Sequence, residues 1–329
     1  RSLSSAASDV YKRQYIYKIL MSYTPQLFSI GDDVNWKEYL DKYGFVVINN
    51  VLDDETYADL FTQFYLNWSN VARNFDFHDK TTWTRENCPM MWDIGMITGY
   101  GLAHAGFQWG LRTHPSVLDI WKRLHGTDEL VVSFDGFSVF LTPEQKPNMW
   151  LHVDQNPKDP LYSIQGAYNF MPVGEEDAGF VVVPGSHKTF CPDVGEDHKF
   201  IPVNPHDIHV DYAVKLLIPK NCFVLWNSKT IHANDGMSET KTTELNRVTS
   251  YICYFPKEQR PENMLMRRAN GYHRAVNCGH YAIDYNIKQK PYGSIEELEA
   301  QEFNLTKPIY DVEGNLSLIH ISEPTRPMN

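Results

Sequence analysis

Apolar residues follow two different periods along this chain, and the change falls near residue 130. In the first part the spacing is helical. NWKEYLDKY (35–43) puts Trp36, Tyr39, Leu40 and Tyr43 on one face, and Gly44 closes it before the strand FVVIN. Asp53 has the chemistry of an N-cap for a helix running to about residue 72, with Ala58, Phe61, Phe64, Tyr65 and Trp68 as its buried stripe. A shorter helix is expected over 116–124. Beyond residue 129 the pattern shortens. ELVVSFDGFSVFL, MWLHVD, LYSIQGAYNFM, GFVVVPGS, VKLLIP, CFVLWN and NRVTSYICYF are brief apolar or alternating runs bounded by Pro, Gly and Asn. Seven runs so closely spaced predict an antiparallel sandwich or jelly roll rather than a parallel sheet with crossover helices. Helical segments are expected again over 261–269 and 294–303.

Between these two regimes, residues 83–112 keep no period. Trp83, Trp92, Tyr100, Phe107 and Trp109 alternate with Gly95, Gly99, Gly101, Gly106 and Gly110, which suits a pocket wall or lid, or a loop packed over the core. Composition narrows the picture further. With 42% apolar and 22% charged residues in 329, the chain can build a sizeable core, and no repeat or linker divides it. Its apolar stretches are strand-sized, so no membrane span is expected. Thirty Lys and Arg against 41 Asp and Glu give a net charge of −11 without a basic run, which argues against a nucleic-acid partner. Eight Trp, 19 Tyr and 17 Phe favour a ring-lined pocket for a small molecule. Five cysteines, odd in number and without C-x-x-C, form neither a disulfide framework nor a zinc site. A reducing compartment, by default the cytoplasm, is expected.

The chemistry concentrates in three residues. His152-Val153-Asp154 sets an imidazole and a carboxylate at i and i+2, which share one side of a strand. His232 follows beyond another strand-like run. Two imidazoles and one carboxylate on one face of an octahedral ion leave three positions open, the facial triad of non-heme Fe(II) oxygenases. An open face lets O2 and a bidentate cosubstrate bind together. Arg247, at the head of RVTSYICYF, would offer a guanidinium fork to the cosubstrate's distal carboxylate.

In combination, MWLHVDQNP, QGAYNF, EEDAGFVVVPGSHK and WNSKTIHAND with Arg247 resemble the phytanoyl-CoA dioxygenase family of Fe(II)/2-oxoglutarate-dependent oxygenases, and GFVVINNVLDDETYADL resembles its opening. The resemblance covers roughly 36–256. It implies a mainly β fold with flanking helices, a double-stranded β-helix (jelly-roll, cupin-like) core over about 130–256. It also implies Fe(II) at His152, Asp154 and His232, with 2-oxoglutarate and O2 as cosubstrates. Arg247 would take the C5 carboxylate, Asn234 stands where the family often has a serine near the cosubstrate, and Phe170 is the nearest match to its pocket-lining aromatic. The spacing from His232 to Arg247 is longer than the family's usual one, so the intervening loop must bulge. Because relatives that halogenate lack the ligand aspartate, Asp154 implies hydroxylation of a small organic substrate with release of succinate and CO2.

The ends read differently: RSLSSAASDVYKRQ and LSLIHISEPTRP resemble translated sequencing adapters. The expected division is a non-native leader over 1–20, a single oxygenase domain over 21–315 and a non-native tail over 316–329. Among other candidates, His187 reads as a turn residue and His206-x-x-His209 as a loop. Gln155 reads as a helper of the ligands or a solvated strand end, and Arg112 as a structural ion pair or an anion contact. Residues 83–112 and 258–281 are expected to shape the substrate pocket. Two other readings stay open: a non-catalytic binding or scaffold protein of the same fold, and a cupin-type metalloenzyme that does not use 2-oxoglutarate. The sequence is silent on oligomeric state.

Overall fold

The computed structural model describes residues 21–284 apart from 85, 90, 92, 93, 98, 100, 146–149, 196, 197 and 274. The adapter-like ends, the helix expected over 294–303, and Trp92 and Tyr100 lie outside the described residues.

The helices start and stop where side-chain chemistry dictates. Helix α1 (Asp33–Tyr43) buries Trp36 and Leu40 and ends at Gly44, whose left-handed φ of 78° suits glycine and lets its N–H close on Leu40 O at 2.7 Å. A Cβ at Gly44 would also collide with Thr230 and His187, so the chain turns tightly into strand β3 (Phe45–Asn49). Asp53 caps α2 (Asp54–Val71), its Oδ1 accepting from Thr56 N at 2.8 Å. The buried stripe of α2 differs from the expected one. It is centred on the i, i+4, i+8 row Leu60, Phe64 and Trp68, with Asn67 beside it; Phe61 and Tyr65 border it and Ala58 is exposed. Helix α3 (Gly106–Thr113) leads into α4 (Pro115–His125), where Pro115 occupies the first turn and loses no hydrogen bond there.

The strands form two facing sheets. The seven-stranded sheet runs β2 (Leu27–Phe28), β3, β12 (Cys222–Asn227), β8 (Ile164–Asn169), β14 (Arg247–Tyr251), β6 (Phe137–Phe140) and β4 (Met96–Ile97). The six-stranded sheet runs β1 (Met21–Tyr23), β11 (Val214–Leu216), β9 (Gly179–Val182), β13 (His232–Asp235), β7 (His152–Val153) and β10 (Ile201–Pro202). Pairing is antiparallel except at the outer pairs β2–β3 and β1–β11. A separate pair joins β5 (Leu130–Val132) to β15 (Tyr254–Pro256). This is a double-stranded β-helix with flanking helices. Two of the predicted runs each hold two strands: ELVVSFDGFSVFL breaks between β5 and β6 around Asp135–Gly136, and NRVTSYICYF breaks between β14 and β15. Short helices α5 (Ser186–Thr189) and α6 (Met264–His273) complete the described chain, α6 lying a few residues beyond the expected 261–269. Among the described residues, no helix is long and apolar enough to cross a membrane.

Alternation decides which residues reach the space between the sheets. On β3, Val46 and Ile48 join the cluster under the helices, while Phe45 and Val47 join the cluster between the sheets. All four are fully buried, which explains the unbroken apolar run FVVIN: this strand is covered on both faces. Burial of each such side chain contributes about 1.5–3 kcal/mol. The same alternation on β8, β12 and β14 sends Tyr168, Phe223, Leu225 and Val248 to the helices. Their neighbours Gln165, Asn169, Trp226, Arg247 and Thr249 take the opposite faces, and these build the site.

Candidate metal centre

His152 on β7 and His232 on β13 are direct cross-strand partners in the six-stranded sheet, which brings their rings to 4.4 Å between centroids. Asp154 follows β7 and is anchored by its own backbone, N–H to Ser228 O at 3.0 Å and carbonyl to the Tyr281 hydroxyl at 2.8 Å. Its Oδ1 lies 3.7 Å from His152 Nε2 and its Oδ2 3.3 Å from His232 Nε2. One ligand atom from each residue lies within 4.8 Å of the other two. Adjacent ligands about 2.1 Å from an octahedral ion stand about 3 Å apart, so this spacing fits one cation.

Hydrogen bonds fix the tautomers. His152 Nδ1 donates to Trp150 O at 2.8 Å and His232 Nδ1 donates to Thr230 O at 2.9 Å. A carbonyl can only accept, so each Nδ1 carries the proton and each Nε2 offers its lone pair. Three acceptor atoms then face one another inside the protein, an arrangement that a cation between them makes favourable. Burial alone would raise the Asp154 carboxyl. The adjacent imidazoles, His152 first and then His280, outweigh it and hold the group well below the usual carboxylate range. Burial first, then the neighbouring His152, lower the His232 pKa against the pull of Asp154, which keeps this imidazole in its neutral, ligating form.

The surroundings hold these rings in place. Trp150 stacks on His152 at 4.1 Å and 14°, while Phe180 and Trp226 flank His232 at 5.8 and 5.4 Å. Gln165 Nε2 donates to Asp154 Oδ2 at 2.9 Å from the facing sheet. Sequence reading missed Gln165. The available signal was a polar residue at an inward-facing position of an otherwise apolar strand, two places from Ala167 and four from Asn169.

Arg247 is buried, with a fork held by neutral groups: Nη1 donates to Asn234 Oδ1 at 2.8 Å and Nε to Thr249 Oγ1 at 3.0 Å. Thr249 in turn donates to Asn169 Oδ1 at 2.8 Å. Asn234 Nδ2 reaches the Tyr251 hydroxyl, which meets Ser138 Oγ. Burial lowers the Arg247 pKa, yet a guanidinium stays charged at neutral pH. A buried cation whose hydrogen-bond partners are neutral is suited to an anionic ligand. The irregular segment between β13 and β14, residues 236–246, is tied down by Asn246 and Lys241 on Asp177.

Phe170 is placed elsewhere. It packs on Phe61 at 5.3 Å and Tyr168 at 4.8 Å, on the helix-facing side of the seven-stranded sheet, and the inward position belongs to Asn169. The alternation of β8 runs Gln165, Ala167, Asn169, so one residue of offset moves a side chain to the other face.

A cavity of about 430 Å3 opens on the three ligand atoms. Trp150, Phe180, Phe200, Trp226 and Tyr251 supply rings, Ile94 and Met96 come from the segment 83–112, and Asn277, Gly279 and His280 come from 258–281. Both segments expected to shape a pocket therefore contribute to its wall. Trp83 and Trp109 do not: they pack in the apolar cluster under the helices. Arg112 is structural, but its guanidinium donates to two backbone carbonyls, Ala103 O and Asp135 O, rather than to an acidic side chain. Gln155 turns its amide to Leu161 O and takes no part in the cavity wall. His187, in α5, donates to Asp41 O, and His209 pairs with Asp207.

Two imidazoles and a carboxylate meeting on adjacent strands of a double-stranded β-helix define the class of non-heme Fe(II) oxygenases. No family model matches the chain. A protein from Aspergillus versicolor named Ava biosynthesis cluster protein O is 31% identical over 271 residues, covering 75% of this chain and 84% of the relative. A Dictyostelium discoideum protein named "Putative phytanoyl-CoA dioxygenase" is 23% identical over 274 residues, covering 67% and 74%. The crystal structure of the GlcNAc-inducible gene 2 protein of Candida albicans shares the fold, with a TM-score of 0.56 at 13% identity over 98% of this chain and 85% of that one. The chain belongs to the phytanoyl-CoA dioxygenase family of Fe(II)/2-oxoglutarate-dependent oxygenases. It is an oxidoreductase that works with Fe(II), 2-oxoglutarate and O2.

Proposed function

We propose that the chain hydroxylates a small, ring-bearing organic molecule, with His152 Nε2, Asp154 and His232 Nε2 holding Fe(II) and Arg247 taking the distal carboxylate of 2-oxoglutarate. The observation that carries this reading is the convergence of three acceptor atoms, their tautomers fixed, on the wall of a ring-lined cavity. Bound there, Fe(II) supplies the O2 activation that couples decarboxylation of 2-oxoglutarate to oxidation of the substrate. The protein's share is positional. Gln165 orients the Asp154 carboxylate, Trp150 and Thr230 orient the imidazoles, and the rings exclude water from the reacting space. Asn234 couples Arg247 to the cavity wall, and a guanidinium whose hydrogen-bond partners Asn234 and Thr249 are neutral favours an anion at that end. The presence of Asp154, in place of a small residue, favours return of a hydroxyl over transfer of a halide. The exposed free thiol of Cys191 is in keeping with the reducing cytoplasm, where we place the protein.

The test is succinate formation from 2-oxoglutarate with added Fe(II). Asp154→Ala is expected to lower it at least a thousandfold, and full activity in that variant overturns the assignment.

A further inference from the structure

One ring of the cavity wall is left open to solvent. Phe180 and Trp226 are 5% and 3% exposed and serve mainly to pack His232, whereas Phe200 lines the same cavity and is 46% exposed. Its place follows from the edge strand β10, which it immediately precedes. Ile201 stands opposite Val153 and Pro202 opposite His152. Ile201 and Val153 turn together into a separate apolar cluster, so Phe200, two places before Pro202, shares the face that carries the metal ligands. Its ring accordingly reaches His152, at 4.9 Å and 33°, and Trp150, at 5.9 Å and 30°.

The ring is held at both ends of its segment. Val203 N donates to Leu151 O at 2.8 Å, which fixes the strand pair beyond it. On the other side the Lys199 ammonium lies 5.0 Å from the centre of the Tyr281 ring, and the Tyr281 hydroxyl donates to Asp154 O. A phenyl group fixed in this way, beside a metal ligand and still half open to water, leaves apolar surface that a ligand in the cavity would cover. The planes of Trp150, His152 and Phe200 lie within 33° of one another, so flat groups already stack here. A flat ring extends such a stack with offset π contacts that a puckered ring of equal size does not make.

We propose that Phe200 is a specificity-determining residue whose open side stacks on a planar, unsaturated ring of the substrate and holds it beside His152. Calling the bound molecule the substrate rests on the oxygenase reading, but the preference for a flat ring does not.

Two probes of one skeleton test it, 2-naphthol and decahydro-2-naphthol, each titrated by calorimetry into the protein loaded with Mn(II) and 2-oxoglutarate. The native protein should bind 2-naphthol about fivefold tighter. Phe200→Leu keeps an apolar side chain of similar size without the ring, so the two probes should become equal, with Mn(II) affinity within a factor of about two of native. Phe200→Tyr should retain the preference. Equal affinity of the probes in the native protein, no binding of either included, overturns the proposal. So does a preference that Phe200→Leu leaves intact, which would assign it to the other rings of the wall, or one that Phe200→Tyr abolishes. A fall of Mn(II) affinity in Phe200→Leu beyond that factor also overturns it, since Phe200 would then serve as a support of His152. Failure of the oxygenase reading shows separately, as absence of Mn(II) binding by the native protein, while the probe preference can still be read without metal.

Discussion

The two faces of the seven-stranded sheet are drawn from alternate residues of the same strands, yet they do different work. Toward the helices, Val46, Ile48, Tyr168, Phe170, Phe223, Leu225 and Val248 meet Phe61, Phe64, Trp68 and Phe107 in one apolar cluster. Toward the other sheet, Gln165, Asn169, Arg247, Thr249 and Tyr251 join polar chains that end on the ligand carboxylate and a buried guanidinium. Stability is concentrated on the first face. The second accepts buried polar groups and a buried cation, which cost stability, and holds them where a metal and an anion complete them. A single strand can serve both because its side-chain period is two.

Substitutions on each face should therefore separate folding from binding. The largest effect is expected on the apolar face. Phe64, fully buried among Phe61, Trp68, Phe107 and Phe137, should cost about 3–5 kcal/mol in denaturant unfolding when changed to alanine. The folded fraction should still bind Mn(II) with native affinity. A comparable loss of metal affinity in that fraction would break the division between the faces. Next comes Arg247→Gln, which should raise the KM for 2-oxoglutarate about a hundredfold while leaving Mn(II) affinity within a factor of a few. Unchanged KM would favour a metalloenzyme that does not use 2-oxoglutarate. Gln165→Leu removes the hydrogen bond to Asp154 Oδ2 and should weaken Mn(II) binding about tenfold, read by calorimetry, with little change in the melting temperature.

The smallest effect is a pH slope belonging to the helical side. His104 sits among Phe134, Trp109 and Tyr272, and burial, with Arg112 nearby, pushes its pKa down to about 3. Its folded pKa is below the unfolded one, near 6.5, so the unfolded chain takes up the proton first as pH falls. Stability from this residue is intact above about pH 6.5 and declines from there toward pH 3. Between pH 7 and 5.5 the loss should be about 1 kcal/mol. His104→Gln should flatten that part of the unfolding free-energy curve, and an identical slope in the variant would remove His104 as its source.

Much of this was legible in the sequence because the signals are local. Gly44 and Asp53 mark helix ends through backbone and capping chemistry that needs no partner far away. The H-x-D spacing of His152 and Asp154 puts both on one side of a strand, and the position of Arg247 heads a readable strand. What stayed hidden depended on register or on distant segments. Phe170 was placed one position off because the inward parity of β8 is set by its pairing with β12 and β14, and Asn169 holds the inward position. Gln165 gains its role only when β8 faces the strand pair that carries the ligands. Asn277 and His280 come to the cavity through a loop that packs on the β5–β6 connector, which itself carries Asp135, a contact between segments more than 130 residues apart that no local pattern announces. Trp83 and Trp109 show the opposite limit, since a ring-rich segment can feed a core as readily as a pocket.

The central claim is that His152, Asp154 and His232 hold one divalent ion. Calorimetric titration of the metal-free protein with Mn(II), beside Asp154→Ala, tests it directly. One ion per chain in the native protein, with affinity reduced at least a hundredfold in the variant, is the predicted result. Equal affinity and stoichiometry in the two proteins would contradict it.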